Sequence, residues 1–242
     1  MNGDGFFDVP SDLQHSYLGL VALHLEEALV PVAGGLVLAL LLAQLCVRHG
    51  WLYPPVLWGA TVVYAIPSLA IFVVLIDYTG QSRTTVMIPL TLYTLVVLVP
   101  AIVDGIRSVP EETLAAATAM GFGPWRRFLR VELPIAVPAI FAGLRGATAA
   151  SISLVSVGAL IGNQGALGNM LTDAMFYHRP MLAVSSVVTT AVLAVLADVL
   201  LVVGRNLLTP WLPRGGEARN PAGVVPGTTT LPAPRQRLES SR

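Results

Sequence analysis

Five stretches of the chain are long enough and free enough of charge to cross a lipid bilayer, and they constrain its fold more than any other feature. The runs are Ala28 to Val47, Pro54 to Ile76, Thr84 to Val103, Gly146 to about Thr172, and Pro180 to about Gly204, the last interrupted near its end by Asp198. A helix rising about 1.5 Å per residue needs about 20 apolar residues to traverse a hydrocarbon core about 30 Å thick. Inside that core every backbone N–H and C=O has to be satisfied within the segment, which selects helix. Burying the same runs in a soluble core fails on composition. Hydrophobic residues make up 55% of the 242 and charged residues only 12%, against roughly 25% charged residues in an ordinary soluble domain. Too few polar side chains remain to coat a water-facing surface. The expectation is an all-α membrane protein with about five transmembrane helices.

Charge placement gives these helices a direction. All 14 basic residues are arginines. If the loop 104–132 is cytoplasmic, five spans put Arg48, Arg107, Arg126, Arg127, Arg130, Arg145, Arg205 and every later arginine on that side, and only Arg83 and Arg179 on the other. The positive-inside rule then sets the N-terminus out and the C-terminus in. Residues 1–27 are expected outside, with an amphipathic helix on the membrane surface, because His24, Glu26 and Glu27 argue against a further span. No Arg or Lys precedes the first apolar run, so Met1 to Gln14 does not read as a cleavable signal. Residues 28–204 form the expected transmembrane domain. From Arg205 the composition turns to Pro, Gly, Thr and Arg, and 205–242 reads as a disordered cytoplasmic tail. Cys46, the sole cysteine, excludes an internal disulfide. The four histidines, His15, His24, His49 and His178, lack ligand spacing, so neither a metal site nor a cofactor is expected.

The loop between the third and fourth runs carries the most specific pattern. Ser108 followed by Glu111 has the spacing of a capping box, Pro110 suits a first helical turn, and Gly121 supplies a stop. Between them Glu112, Ala115, Ala116 and Ala119 fall on one helix face, a small-residue surface that another backbone or groove can approach closely. Gly121 is expected at positive φ to reverse the chain. Gly123 and Pro124 then open a second short helix, with Trp125, Phe128 and Leu129 on an apolar side and Arg126, Arg127 and Arg130 available to water or headgroups. Followed by Val131-Glu132-Leu133-Pro134, this pattern resembles the cytoplasmic signature loop of binding-protein-dependent ABC importer permeases. In that family an acidic residue, two alanines and a glycine sit on a coupling helix that enters a cleft of the ATPase. By resemblance Ala116, Ala117 and Gly121 take the alanine and glycine places. The acidic place is Ala115 here, and Glu112 lies one turn earlier.

A narrower resemblance follows from Tyr64-Ala-Ile-Pro-Ser-Leu-Ala-Ile-Phe72, Leu92-Tyr93 with Gly105-Ile-Arg-Ser-Val-Pro-Glu111, and Ala142-Gly-Leu-Arg145. These segments look like the permeases that import glycine betaine, choline, carnitine and related osmoprotectants, and Gly162 to Gly168 matches that family's glycine-rich turn in part. The resemblance implies an ABC importer permease-like core in the bacterial cytoplasmic membrane. Its partners would be the lipid bilayer, a separate ATP-binding subunit, an extracytoplasmic solute-binding protein and a second permease subunit, in a homodimer or heterodimer. Nucleic acid is not among them.

Within the second run Pro67 has no N–H to give Val63 and is expected to kink the helix, freeing a carbonyl that Ser68 or Thr61 could help satisfy. Irregular backbone at membrane depth suits the wall of a cavity, so Pro67, Ser68 and Tyr93 are the candidates for a translocation path; the alternative is a purely structural kink. Trp58, Tyr64, Phe72 and Tyr93 read most simply as lipid-facing or packing aromatics. Asp198 lies seven residues before Arg205, near the same helix face, and reads as a structural pair or a snorkelling carboxylate. Rival functions are weaker. A Walker loop needs Lys and the chain has none, so ATP hydrolysis belongs to a partner. An ion-coupled carrier usually holds several intramembrane carboxylates or an inverted repeat, and here only Asp198 is offered. The expected function is a permease subunit moving a small osmoprotectant, with an amino acid or another small solute as the alternative.

Overall fold

A computed structural model describes residues 11–161 and 166–211, with side chains from residue 17 onward. Regular structure among the described residues is helical throughout: α1 (Ser11–Arg48), α2 (Tyr53–Ala65), α3 (Ser68–Thr79), α4 (Arg83–Arg107), α5 (Glu111–Ala119), α6 (Pro124–Arg127), α7 (Leu133–Gly158), α8 (Gly168–Phe176) and α9 (Pro180–Leu208). The helices belong to one compact unit ending at Thr209. Residues 212–242 lie outside the described range, and with them nearly all of the expected tail; its first residues, from Arg205 to Leu208, are the last turn of α9.

The first helix departs from expectation at its start. No boundary falls at Ala28; α1 is continuous from Ser11, so the helix expected within 1–27 is not separate but runs on into the helix of the first span. The polar residues that argued against insertion have partners inside the bundle. His24 is fully buried, its Nε2 2.9 Å from the Ile152 carbonyl oxygen. Arg83 donates to Glu27 Oε1 at 3.0 Å and to Glu26 Oε2 at 2.7 Å. Glu27 is buried against its partner, whereas the Arg83 and Glu26 side chains keep 39% and 53% of their surface exposed.

The second run breaks rather than bends gently. α2 and α3 meet at 91° across Ile66 and Pro67, with Ile66 in extended conformation at φ −77° and ψ 127°. The pair still crosses. At the start of α2 the Arg107 guanidinium lies 4.6 Å from the centre of the Tyr53 ring, and at the end of α3 the Thr79 hydroxyl bonds that of Thr85 at 2.6 Å. Thr85 and Arg107 stand at opposite ends of α4, roughly 33 Å apart along its axis at 1.5 Å per residue. The carbonyl freed at the break is satisfied differently from expectation. The Val63 oxygen accepts from the Ile66 N–H at 3.3 Å, and the Tyr93 hydroxyl donates to the next exposed carbonyl, that of Ile66, at 3.1 Å, while Thr61 donates to Leu57 of its own helix. Counting the broken pair as one crossing, the described residues contain five spans.

Helix α4 is the axis of the bundle, with Leu98, Val99, Ile102, Val103 and Ile106 buried between α1 and α7. Lipid tails are as apolar as Leu, so helices here associate through close packing, and small residues mark the crossings. A Cβ on Gly143 of α7 would stand 2.7 Å from the Ala101 Cβ of α4, and one on Gly105 of α4 would stand 2.9 Å from that of Ala139. The two pairs form an antiparallel small-residue crossing at four-residue spacing. Gly35 of α1 meets Thr94 in the same manner.

The fourth span corrects the expected run of Gly146 to Thr172. It begins with α6, passes through a π turn at Phe128–Glu132 and continues as α7 to Gly158, while Gly168–Phe176 is the separate helix α8. Pro134 explains the π turn, since it cannot bond the Arg130 carbonyl in α-helical register. Arg145 does not mark the start of the span, because its charge is met within the bundle. Its Nε donates to Asp198 Oδ1 at 2.5 Å and its Nη2 to Oδ2 at 2.8 Å, joining α7 to α9. Asp198 therefore pairs with Arg145; Arg205 donates instead to its neighbour Asn206.

Candidate functional site

Two features stand apart from the bundle's packing: an exposed helix in the loop between the third and fourth spans, and a cavity at the broken span. The loop helix α5 follows Pro110, as its fixed φ favours, but the capping box does not form. Ser108 falls at the C-terminal cap of α4, and its hydroxyl donates to the Gly105 carbonyl at 2.7 Å. The end of α5 matches expectation. Phe122 N–H bonds the Ala117 carbonyl at 3.1 Å and Gly121 N–H that of Thr118 at 2.9 Å, the paired reverse bonds of a Schellman motif, with Gly121 at φ +79°.

Glu112, Ala115, Ala116 and Ala119 are all exposed and form one uncovered face. Ala117 is 1% exposed and packs inward, so of the residues implied for ATPase contact it is the one whose side chain cannot reach a partner. The second short helix is less independent than expected. Phe128 is buried while Trp125 and Leu129 remain more than half exposed, and Arg127 is half-buried. Its Nε donates to the buried Glu132 at 2.7 Å and its Nη1 reaches Thr118 of α5 at 3.4 Å, tying α5 to the base of α7. Arg126 lies over the Phe122 ring at 4.6 Å.

The cavity measures about 470 Å³ and sits where the break faces α4 and α7. Pro67, Ser68 and Tyr93, singled out separately in the sequence, all line it. Tyr64 and Tyr93 form two of its walls, their ring centres 6.3 Å apart and planes at 87°. Gly146 and Ala150 of α7 open the opposite side, and among the described residues no charged side chain lines it. Sequence reasoning missed the α7 wall, although the small residues Gly146, Ala150, Ala147 and Ser151 recur there at four-residue spacing. Of the aromatics, Trp58 is 73% exposed on the outside of the bundle and Phe72 is fully buried, as lipid-facing and packing roles require. Tyr64 and Tyr93 belong to the cavity.

Membrane-length helices, a broken span over a cavity and an exposed small-residue helix between two spans suit the membrane subunit of a transport system. The chain belongs to the family of binding-protein-dependent transport system inner membrane components, whose pattern matches residues 35–213. It is 30% identical over 192 residues to the osmoprotectant import permease protein OsmW of Salmonella typhimurium, covering 77% of this chain and 89% of that protein. To the carnitine transport permease protein OpuCD of Listeria monocytogenes it is 34% identical over 155 residues, covering 63% of this chain and 66% of the other. Its fold is that of a chain in an inward-facing structure of the MetNI methionine ABC transporter, with TM-score 0.68 and 19% identity over 85% of this chain and all of that one. As a family member the chain is a multi-pass inner-membrane permease that works with a separate ATPase and a solute-binding protein, and it is not itself an enzyme.

Proposed function

We propose that this chain imports a small osmoprotectant of the glycine betaine, choline and carnitine class. The observation that supports the solute class is the 30% identity over most of its length to an osmoprotectant import permease. In this reading two permease subunits, identical or similar, form the path between them. Glu112, Ala115, Ala116, Ala119 and Gly121 present α5 to the ATPase, and Ala117 supports them from beneath. Pro67, Ser68 and Tyr93 border the path. The arginine distribution supports an N-terminus outside and α5 in the cytoplasm, since Arg83 and Arg179 stand at one end of the spans and Arg48, Arg107 and Arg205 at the other.

Uptake of radiolabelled glycine betaine, choline and carnitine in cells at high osmolarity, with and without the gene, tests the reading. Loss of betaine-type uptake with unchanged amino-acid uptake is expected. Transport of methionine or another ordinary amino acid, with none of the three, refutes the solute class.

A further inference from the structure

The break in the second span turns two helix ends of opposite sign toward one cavity. α2 ends there and exposes the carbonyl end of its dipole, whereas α3 begins there and exposes the N–H end. Pro67 O accepts from the Ala70 and Ile71 N–H groups, so those of Ser68 and Leu69 precede the first bond of α3. Ala65, Ile66, Pro67 and Ser68 all face the cavity. Broken helices at membrane depth meet anionic groups with their N-terminal ends and cations with their freed carbonyls.

The aromatic pair adds a second, independent observation. Tyrosines that anchor a span sit at the membrane surface. Tyr93 instead lies near the middle of α4, about 15 Å along the axis from Arg83 and about 21 Å from Arg107. Tyr64, its ring at right angles to that of Tyr93, is 67% exposed, and its hydroxyl makes no bond among the described residues. A phenol tip at mid-membrane depth needs a polar neighbour. With two thirds of its surface exposed at the cavity, the Tyr64 ring offers a surface against which a methylated ammonium can rest. A volume of about 470 Å³ lies within the range of small-molecule sites, and the missing side chain of Gly146 keeps it open.

We infer that this cavity is a solute subsite for a small zwitterion, with a methylated ammonium against Tyr64, Tyr93 and the α2 carbonyl end, and a carboxylate at the α3 N-terminus beside Ser68. The methylated class rests on the osmoprotectant reading above; the site and its polarity do not. With no ionised side chain in the wall, the solute is held by dipoles and ring faces alone. Occupancy is therefore weak, as passage through a transporter requires.

The test is saturation-transfer NMR on the full-length chain with its ATPase in lipid nanodiscs, without the solute-binding protein, using glycine betaine and glycine as probes. Saturation of the betaine methyl protons is expected, well above that of the glycine methylene. Tyr64→Phe keeps the ring face and should hold the signal within about twofold, whereas Tyr64→Leu should lower it by about fivefold or more, the scale of a lost cation–π contact. Gly146→Leu, at a position where a Cβ meets nothing within 4 Å, fills the cavity and should abolish the signal. Equal methyl signals in wild type, Tyr64→Leu and Gly146→Leu overturn the subsite, as does no signal in wild type while cells still import betaine; the osmoprotectant reading survives both. Glycine saturated as strongly as betaine, with loss in Gly146→Leu, keeps a zwitterion site and overturns the methylated class.

Discussion

Ala116 and Ala117 are neighbours in sequence with opposite surroundings, and substitution should separate them. Leu at 117 enters a filled site, and overpacking of that kind costs about 1–3 kcal/mol. Ala117→Leu is expected to lower membrane abundance or thermal stability. Ala116→Leu adds the same volume to an open face; abundance should hold while ATPase co-purification and solute uptake fall. Gly121→Val forces a β-branched residue to φ +79°, at a cost of roughly 1–2 kcal/mol. It should misaim α5 with the spans intact. Normal uptake with retained ATPase binding in both Ala116→Leu and Gly121→Val would overturn the docking assignment. The stop at Gly121 was readable because glycine's conformational freedom is a local property. The capping box was not, because Ser108 lies within reach of two helix ends and sequence spacing does not show that α4 claims its hydroxyl.

At the scale of helices, the crossings that hold the bundle together leave little room. Gly143→Leu would drive a side chain into Ala101 and Leu98 of α4, and the expected result is loss of folded protein in detergent with insertion still complete. The Arg145–Asp198 pair invites a sharper comparison. Either single replacement, Arg145→Ala or Asp198→Ala, leaves one charge without its partner at membrane depth. Both should reduce abundance in the membrane, and exchanging the pair through Arg145→Asp with Asp198→Arg should restore it. No recovery in the exchanged variant would mean that the contact does not organise α7 against α9. These same features mark where sequence reading reached its limit. Hydropathy located five crossings because lipid imposes one length on all of them. It misplaced the first and fourth because Glu27 and Arg145 are answered by Arg83 and Asp198, residues distant in sequence. Pro67 announced a break, but its 91° angle and the phenol that caps it are tertiary outcomes.

For the whole molecule, the proposed orientation predicts that tags between Gly123 and Trp125 and after Thr209 are cytoplasmic, while a tag near Asp8 is external. Cysteine-accessibility labelling from each side checks this, and the first two on opposite faces would refute five crossings. Orientation gives the Arg127–Glu132 contact a mechanical meaning. The helical run from Pro124 to Ile161 is unbroken, with Arg127 bracing α5 at its foot and Gly146 lining the cavity about 28 Å further along its axis. A chain braced in this way acts as a lever. In the proposed coupling, displacement of α5 by an ATPase would be delivered along the shaft to the cavity wall instead of being absorbed in a slack loop, and a tilt of a few degrees would move that wall by an atom's width or more. Stiffness would then be a working part of the transporter. Replacing Leu129 and Arg130 by a Gly-Gly pair would leave the docking face and the cavity in place but soften the shaft between them, so ATP hydrolysis should continue while uptake is lost.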